Sequence, residues 1–265
     1  MRDSSLALLT LSLLTISLSA QIASVSITNV SEKAAQPGKS RLVWKGLLEN
    51  HSSSSIVAFH STFVCPSPTD HGKNMSRGSG YDAFEQHTVL DDIRLIPVGG
   101  VAEVNAADPY NCTGGVDSIV FSDHHSEGDL RWVNLKHQEW AGLHTGIVES
   151  LRLLDRIADQ EARPEEVADV FRDRIQLIPN GTRDTKKWGE RSVYVQLESL
   201  LRGKTDVKSP LDPIPHSPPR VEETNEANGI PRQKAQAMYL VNKLQEWKTA
   251  LEDNLEPRAN PQFTR

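Results

Sequence analysis

The feature that most constrains this chain is a change of hydrophobic period close to residue 129. Up to Asp123 the apolar residues follow strand spacing. Val25 and Ile27 alternate with polar neighbours, as do Leu42, Trp44 and Gly46, and Ile56-Val57-Ala58-Phe59 runs on through Thr62-Phe63-Val64. Val101, Glu103 and Val104 open another strand, and Asp117-Ser118-Ile119-Val120-Phe121 is the last. Turn formers punctuate the runs: Gln36-Pro37-Gly38-Lys39, Asn50-His51 with four serines behind them, and Val98-Gly99-Gly100. About seven short strands without a helical period between them predict a β-sandwich over residues 21–128. Cys65 to Gly80, rich in Pro, Ser and Gly, reads as a long loop.

Beyond residue 129 the period is 3.6. Trp140, Leu143, Ile147, Leu151, Leu154 and Ala158 line one face of a helix, and Gly142 and Gly146 would let it pack closely on a neighbour. Arg163-Pro164-Glu165-Glu166 has the Pro and acidic first turn of a helix start, followed by Val167, Val170, Phe171 and Ile175. Val193, Leu197, Leu200 and Leu201 predict a third helix stopped by Gly203. The helical region therefore covers 129–204. Five prolines between Ser209 and Arg220 make 205–230 a linker. A C-terminal amphipathic helix follows over 231–256, striped by Met238, Val241, Leu244, Trp247 and Leu251. A helix of that length is marginal alone and must dock on the body or on a partner. The fold class expected is α+β.

Residues 1–20 carry the parts of an export signal: Arg2, an uncharged Leu-rich run from Leu6 to Leu18, and Ala20 ahead of a cut before Gln21. That run rises only about 20 Å as a helix, short of a hydrocarbon core of about 30 Å. The competing reading is an uncleaved anchor. Nothing later is long and apolar enough to span a membrane, and the expected address is secreted or periplasmic. An oxidising compartment favours a bridge between Cys65 and Cys112, the only cysteines. Free thiols or half of a metal site are the alternatives.

The net charge is −6, with 35 acidic and 29 basic residues. Nucleic-acid binding draws most of its affinity from phosphate neutralisation, so no nucleic-acid partner is expected. The densest polar cluster is Asp123-His124-His125-Ser126-Glu127-Gly128-Asp129. It reads as a solvated turn with Asp129 near a helix N-cap. The rival reading is a divalent-metal site formed by Asp123, His124, His125 and Glu127, since imidazole nitrogen and carboxylate oxygen are the usual ligands. His137 and His144 share a helix face but form no H-E-x-x-H, and no G-x-S-x-G, P-loop or G-x-G-x-x-G occurs. Five N-x-S/T sequons, at Asn29, Asn50, Asn74, Asn111 and Asn180, read as loop markers first. Only Trp44 falls in the strand half, which offers little for stacking sugars on a row of aromatics.

Three segments carry a resemblance: Ile27-Thr28-Asn29-Val30-Ser31-Glu32-Lys33, Ile96-Pro97-Val98-Gly99-Gly100, and Val120-Phe121-Ser122-Asp123 through Glu127-Gly128-Asp129. Together they resemble uncharacterised exported bacterial proteins in which an immunoglobulin-like sandwich precedes a helical tail. In that pattern the last segment reads Phe, any residue, Asp-Gly, then Gly-Asp. His124 replaces the first Gly here, so the turn must differ locally. The resemblance implies an immunoglobulin-like fold and an exported address, and carries no catalytic residues. The expected function is a non-catalytic binding or structural protein of the cell envelope or extracellular space. It meets an unknown protein or envelope component through sandwich loops or the C-terminal helix, and needs no cofactor. The alternative is a metal-assisted hydrolase using the Asp123–Asp129 cluster.

Overall fold

The computed structural model describes residues 24–33, 43–67, 73–84, 92–106, 111–202 and 232–255; the expected export segment and the 205–230 linker lie outside the described residues. Among the described residues the chain is α+β, with two antiparallel sheets and four helices. The strands are β1 (Val25–Lys33), β2 (Val43–Asn50), β3 (Ile56–Pro66), β4 (Asn74–Asp82), β5 (Val101–Ala106), β6 (Thr113–Phe121) and β7 (Ser126–Gly128). The helices are α1 (Leu130–Ala158), α2 (Pro164–Leu177), α3 (Thr185–Leu201) and α4 (Arg232–Leu255). One sheet has the order β1-β2-β5 and the other β4-β3-β6-β7.

Strand β3 explains the layering, because Ile56 to Phe59 are buried on both faces. Phe59 joins Val25, Leu48, Val104, Val116, Ile119 and Phe121 in an apolar layer to which both sheets contribute. Val57, Ala58 and Val120 instead join a second layer built mainly from helix residues, including Trp140, Leu143, Ile147, Phe171, Tyr194 and Trp247. Strands covered on both sides lose the clean in-out alternation, which is why this one reads as a continuous apolar run. The result is three layers: sheet, sheet, helices.

The predicted loop between Cys65 and Gly80 is corrected by β4, which pairs antiparallel with β3 from Ala58↔Asp82 to Pro66↔Asn74. Its sequence hides the strand because Gly78 and Gly80 alternate with polar residues at an edge, where no apolar stripe is needed. Cys65 and Cys112 are joined in a disulfide between β3 and the approach to β6. The bridge spans a sequence separation of 47 and encloses β4 of one sheet and β5 of the other. In the chain-entropy account it stabilises the fold by about 4 kcal/mol.

The helices begin and end for local reasons. Asp129 is the N-cap of α1, its carboxylate accepting from the Arg131 N–H, and Asp184 caps α3 through the Lys187 N–H. Pro164 opens α2. The buried face of α4 comprises Ala237, Leu240, Leu244, Trp247 and Leu251, packed in the helical layer with Phe84 and Trp140. Met238, expected in the stripe, is 43% exposed. The C-terminal helix therefore docks on the body, one of the two outcomes expected of it. Among the described residues, no helix is long and apolar enough to cross a membrane.

Candidate functional site

The polar cluster foreseen between residues 123 and 129 is a tight connection from β6 to β7. Phe121 N–H donates to the His125 carbonyl, and His124 takes a positive φ of 70° at the apex. That leaves the two imidazoles in different surroundings. His125 stacks on Phe121, ring centroids 4.0 Å apart, with Nδ1 2.5 Å from Asp123 Oδ1 and Nε2 3.7 Å from Glu127 Oε1. Ser54 donates to Asp123 and Ser24 to Glu127, so the turn is tied to the β2–β3 connection and to the start of β1. Partial burial pulls the Asp123 carboxyl upward, but hydrogen bonds from Ser54 and His125 outweigh it and hold the group below its ordinary value. Asp123, His125 and Glu127 are thus brought together, whereas His124 is set apart by its backbone conformation. Among the described residues, no group of three or more His, Cys, Asp and Glu side chains has the arrangement of a metal cage.

A second cluster was not singled out from the sequence. Between β3 and β6 the register shifts, with Ser61 opposite Val116 and His60 opposite Ser118. Asp117 is the extra residue of this bulge, and bulges re-aim side chains. Its backbone carbonyl accepts from the Asp129 N–H, and Gly128 (φ 91°) passes so close that a Cβ there would stand 1.8 Å from that oxygen. The redirected carboxylate accepts from Thr62 Oγ1 at 2.5 Å and Ser118 Oγ at 3.0 Å. His60 Nδ1 lies 2.9 and 3.1 Å from its two oxygens. A carboxylate only accepts, so Nδ1 carries the proton, and in the neutral ring Nε2 presents a lone pair.

The surroundings of His60 are equally specific. Its ring lies over β4, where a Cβ on Gly78 would be 3.0 Å from Nε2. On its other flank is the Trp132 indole of α1, 5.7 Å between centroids and tilted by 31°. Residues directly opposite one another share a sheet face. Thr62 faces Gly78 on one side and Gly115 on the other, and Val64 faces Ser76 and Thr113. This is the face whose other end, at Ala58 and Val120, is covered by the helices. Beyond Trp132 no described residue covers the face: Gly78, Ser76 and Thr113 are exposed, Val64 is 40% exposed, and among the described residues nothing stands above Gly115. The structure therefore presents a flat, glycine-floored shelf bordered by an oriented imidazole, a carboxylate and an indole.

Behind Trp132, Lys136 joins the helix to the sheet. Its ammonium is 6.0 Å from the Trp132 ring centroid, 3.2 Å from Asp82 Oδ2 and 2.9 Å from Glu139 Oε2. Asp82, at the end of β4, also accepts from the Trp140 indole N–H and the Phe84 backbone N–H.

His137 and His144, paired by spacing in the sequence, do different jobs. His137 is half-buried against Trp140, and burial, then the His124 charge, holds its pKa below the ordinary imidazole value. His144 Nε2 meets Glu252 of α4 at 3.0 Å. The sequons are not uniformly loop markers. Asn29 and Asn74 lie within strands and Asn50 ends one, while Asn111 and Asn180 lie in turns.

His60 and Asp117 escaped the sequence reading because they are 57 residues apart and meet only through a bulge. The available signal was weak: a charged residue interrupting the apolar run Val116–Phe121, and paired glycines flanking a strand. No family model matches the chain, and no characterised protein or solved structure is significantly similar to it.

Proposed function

We propose that this chain is an exported, non-catalytic binding protein of the cell envelope or extracellular space, and that its ligand lies on the shelf beside His60. One observation carries the reading: Thr62 is flanked on both neighbouring strands by glycine, and while the His60 ring lies over Gly78, the space above Gly115 lets a ligand approach to backbone distance. The border supplies the Asp117 carboxylate, the Nε2 of His60, hydroxyls at Ser76 and Thr113, and the indole of Trp132. That set suits an extended glycan, whose hydroxyls need acceptors and whose rings need a flat floor. The disulfide fits an oxidising address. The strand order supports the immunoglobulin-like reading. The sheets β1-β2-β5 and β4-β3-β6-β7 match the pairing of first, second and fifth strands against third, sixth and seventh. Only the fourth strand differs from the constant-type arrangement, lying beside the third.

The test is calorimetric titration with two soluble probes, peptidoglycan fragments and neutral β-glucan oligosaccharides. Binding of either, abolished by Gly115→Trp and retained by Leu177→Ala on the far helices, is expected. Failure of both probes, or binding indifferent to Gly115→Trp, overturns the assignment of the shelf.

The spacing of His125 Nε2 and Glu127 Oε1 favours a second reading, a metal-assisted hydrolase. Their 3.7 Å separation is near the roughly 3.3 Å between ligands on a tetrahedral zinc. Stoichiometric zinc in the purified protein, lost in Glu127→Gln, would support it. Metal-free protein with a Tm unmoved by added zinc would remove it.

A further inference from the structure

From the geometry around Lys136 we propose that its amine and the Asp82 carboxyl condense to an intramolecular amide, stapling helix α1 to strand β4. The two groups are already in contact. Nζ is 3.2 Å from Asp82 Oδ2, which holds the amine against the carboxyl group whose Cγ it would attack. All three polar side chains are sequestered, with only 14% of Lys136, 3% of Asp82 and 6% of Glu139 exposed. The indoles of Trp132 and Trp140 and the ring of Phe84 lie around them.

Each step has a group to perform it. Glu139 Oε2, 2.9 Å from Nζ, takes a proton from the ammonium and frees the lone pair. Glu139 passes that proton to Asp82 Oδ2, Nζ bonds to Cγ of the neutral acid, and the charge that develops on Oδ1 meets the Phe84 N–H at 2.8 Å, with the Trp140 Nε1–H shared between Oδ1 at 3.2 Å and Oδ2 at 3.0 Å. Glu139 then carries the second amine proton to Oδ2, and the Cγ–Oδ2 bond breaks with loss of water. The ammonium and the carboxylate become one amide and one water, with no oxidant, reductant or activated ester required. The remaining amide N–H faces Glu139.

The residues of this staple are distinct from the glycan shelf, so its fate is independent of the function proposed above. The experiment is peptide mapping by tandem mass spectrometry of the full folded protein after reduction and trypsin digestion. The expected result is a branched peptide joining the Asp82 and Lys136 segments, lighter than their sum by one water, with no cleavage after Lys136. In Glu139→Gln, folded by circular dichroism, the branched peptide should fall at least tenfold. Lys136→Arg should lack it altogether. Two separate wild-type peptides, with cleavage after Lys136, would overturn the proposal and leave an ion pair. An undiminished branched peptide in Glu139→Gln would overturn the role of Glu139 as the proton carrier.

Discussion

Gly142 of α1 and Lys186 of α3 meet backbone to backbone: a Cβ on Gly142 would stand 1.9 Å from the Lys186 carbonyl oxygen. The approach is reciprocal, since a Cβ on Gly189 would stand 2.3 Å from the Glu139 carbonyl. Neither obstacle is a flexible side chain, so one helix must move away if a methyl is added. Overpacking of this kind costs about 1–3 kcal/mol or more, against about 1 kcal/mol gained in helix propensity. Gly142→Ala should therefore lose roughly 2 kcal/mol in urea denaturation. Gly115→Ala, with nothing within 4 Å, should stay within about 0.5 kcal/mol. Equal midpoints for the two variants would show that the helices do not touch through their backbones.

Asn50 is fully buried at the end of β2, and its amide organises the β2–β3 turn. Nδ2 donates to the carbonyls of Ser54, Ile96 and Pro97, while Oδ1 accepts from the Ser52 N–H and hydroxyl. Each buried partner left unsatisfied costs about 1–3 kcal/mol. Asn50→Ala should cost at least about 3 kcal/mol, and Asn50→Asp should not rescue it, because a carboxylate cannot donate to three carbonyls. The same burial bars a glycan from this sequon in the folded state. An Asn50→Asp variant as stable as the wild type in denaturant titration would contradict the assignment.

Legibility followed the range of the interactions involved. The strand-to-helix switch, the Pro164 helix start and the Asp129 cap were readable because each depends on neighbours within a turn or two. Strand β4 was not, because an edge strand of glycine and polar residues has the composition of a loop until its partner is known. In α4, Leu244, Trp247 and Leu251 are buried as the stripe predicted, and only its first turn is off by one residue: Ala237 is buried by what packs on it, whereas Met238 has the larger apolar side chain yet faces outward. The His125 pairings arise within one turn and were half visible. His60 and Asp117 need the β3–β6 register and its bulge, which no local pattern encodes.

The half-buried His137 ring makes stability depend on pH in a defined direction. Its folded pKa is depressed below the ordinary value of 6.5, by burial first and then by the His124 charge. The unfolded chain therefore binds the proton more readily. Stability is full above about pH 6.5 and is lost as pH falls through the depressed folded value. His137→Gln should lose less Tm than the wild type between about pH 7.5 and about pH 5.5. Parallel losses in the two proteins would show that the acid sensitivity lies elsewhere. Asp123, also depressed, contributes only at lower pH, since its stabilisation is present above the ordinary carboxylate value and fades below it.

Whether α4 belongs to the body can be decided through Trp247. Its side chain is 1% exposed and meets Phe84 edge-on at 6.1 Å, and Phe84 in turn meets Trp140 at 5.4 Å. The row links α4, the end of β4 and α1, so removing its outer ring empties space that three elements share. Large-to-small changes of buried aromatics cost about 3–5 kcal/mol. Trp247→Ala should fall in that range, while Met238→Ala, on the exposed side of the same helix, should change stability by less than about 0.5 kcal/mol. The contrast separates a docked helix from a tethered one. In a tethered helix neither substitution would alter the unfolding of the rest of the chain, and Trp247 would be free for a partner. In the docked helix, loss of Trp247 weakens the whole helical layer.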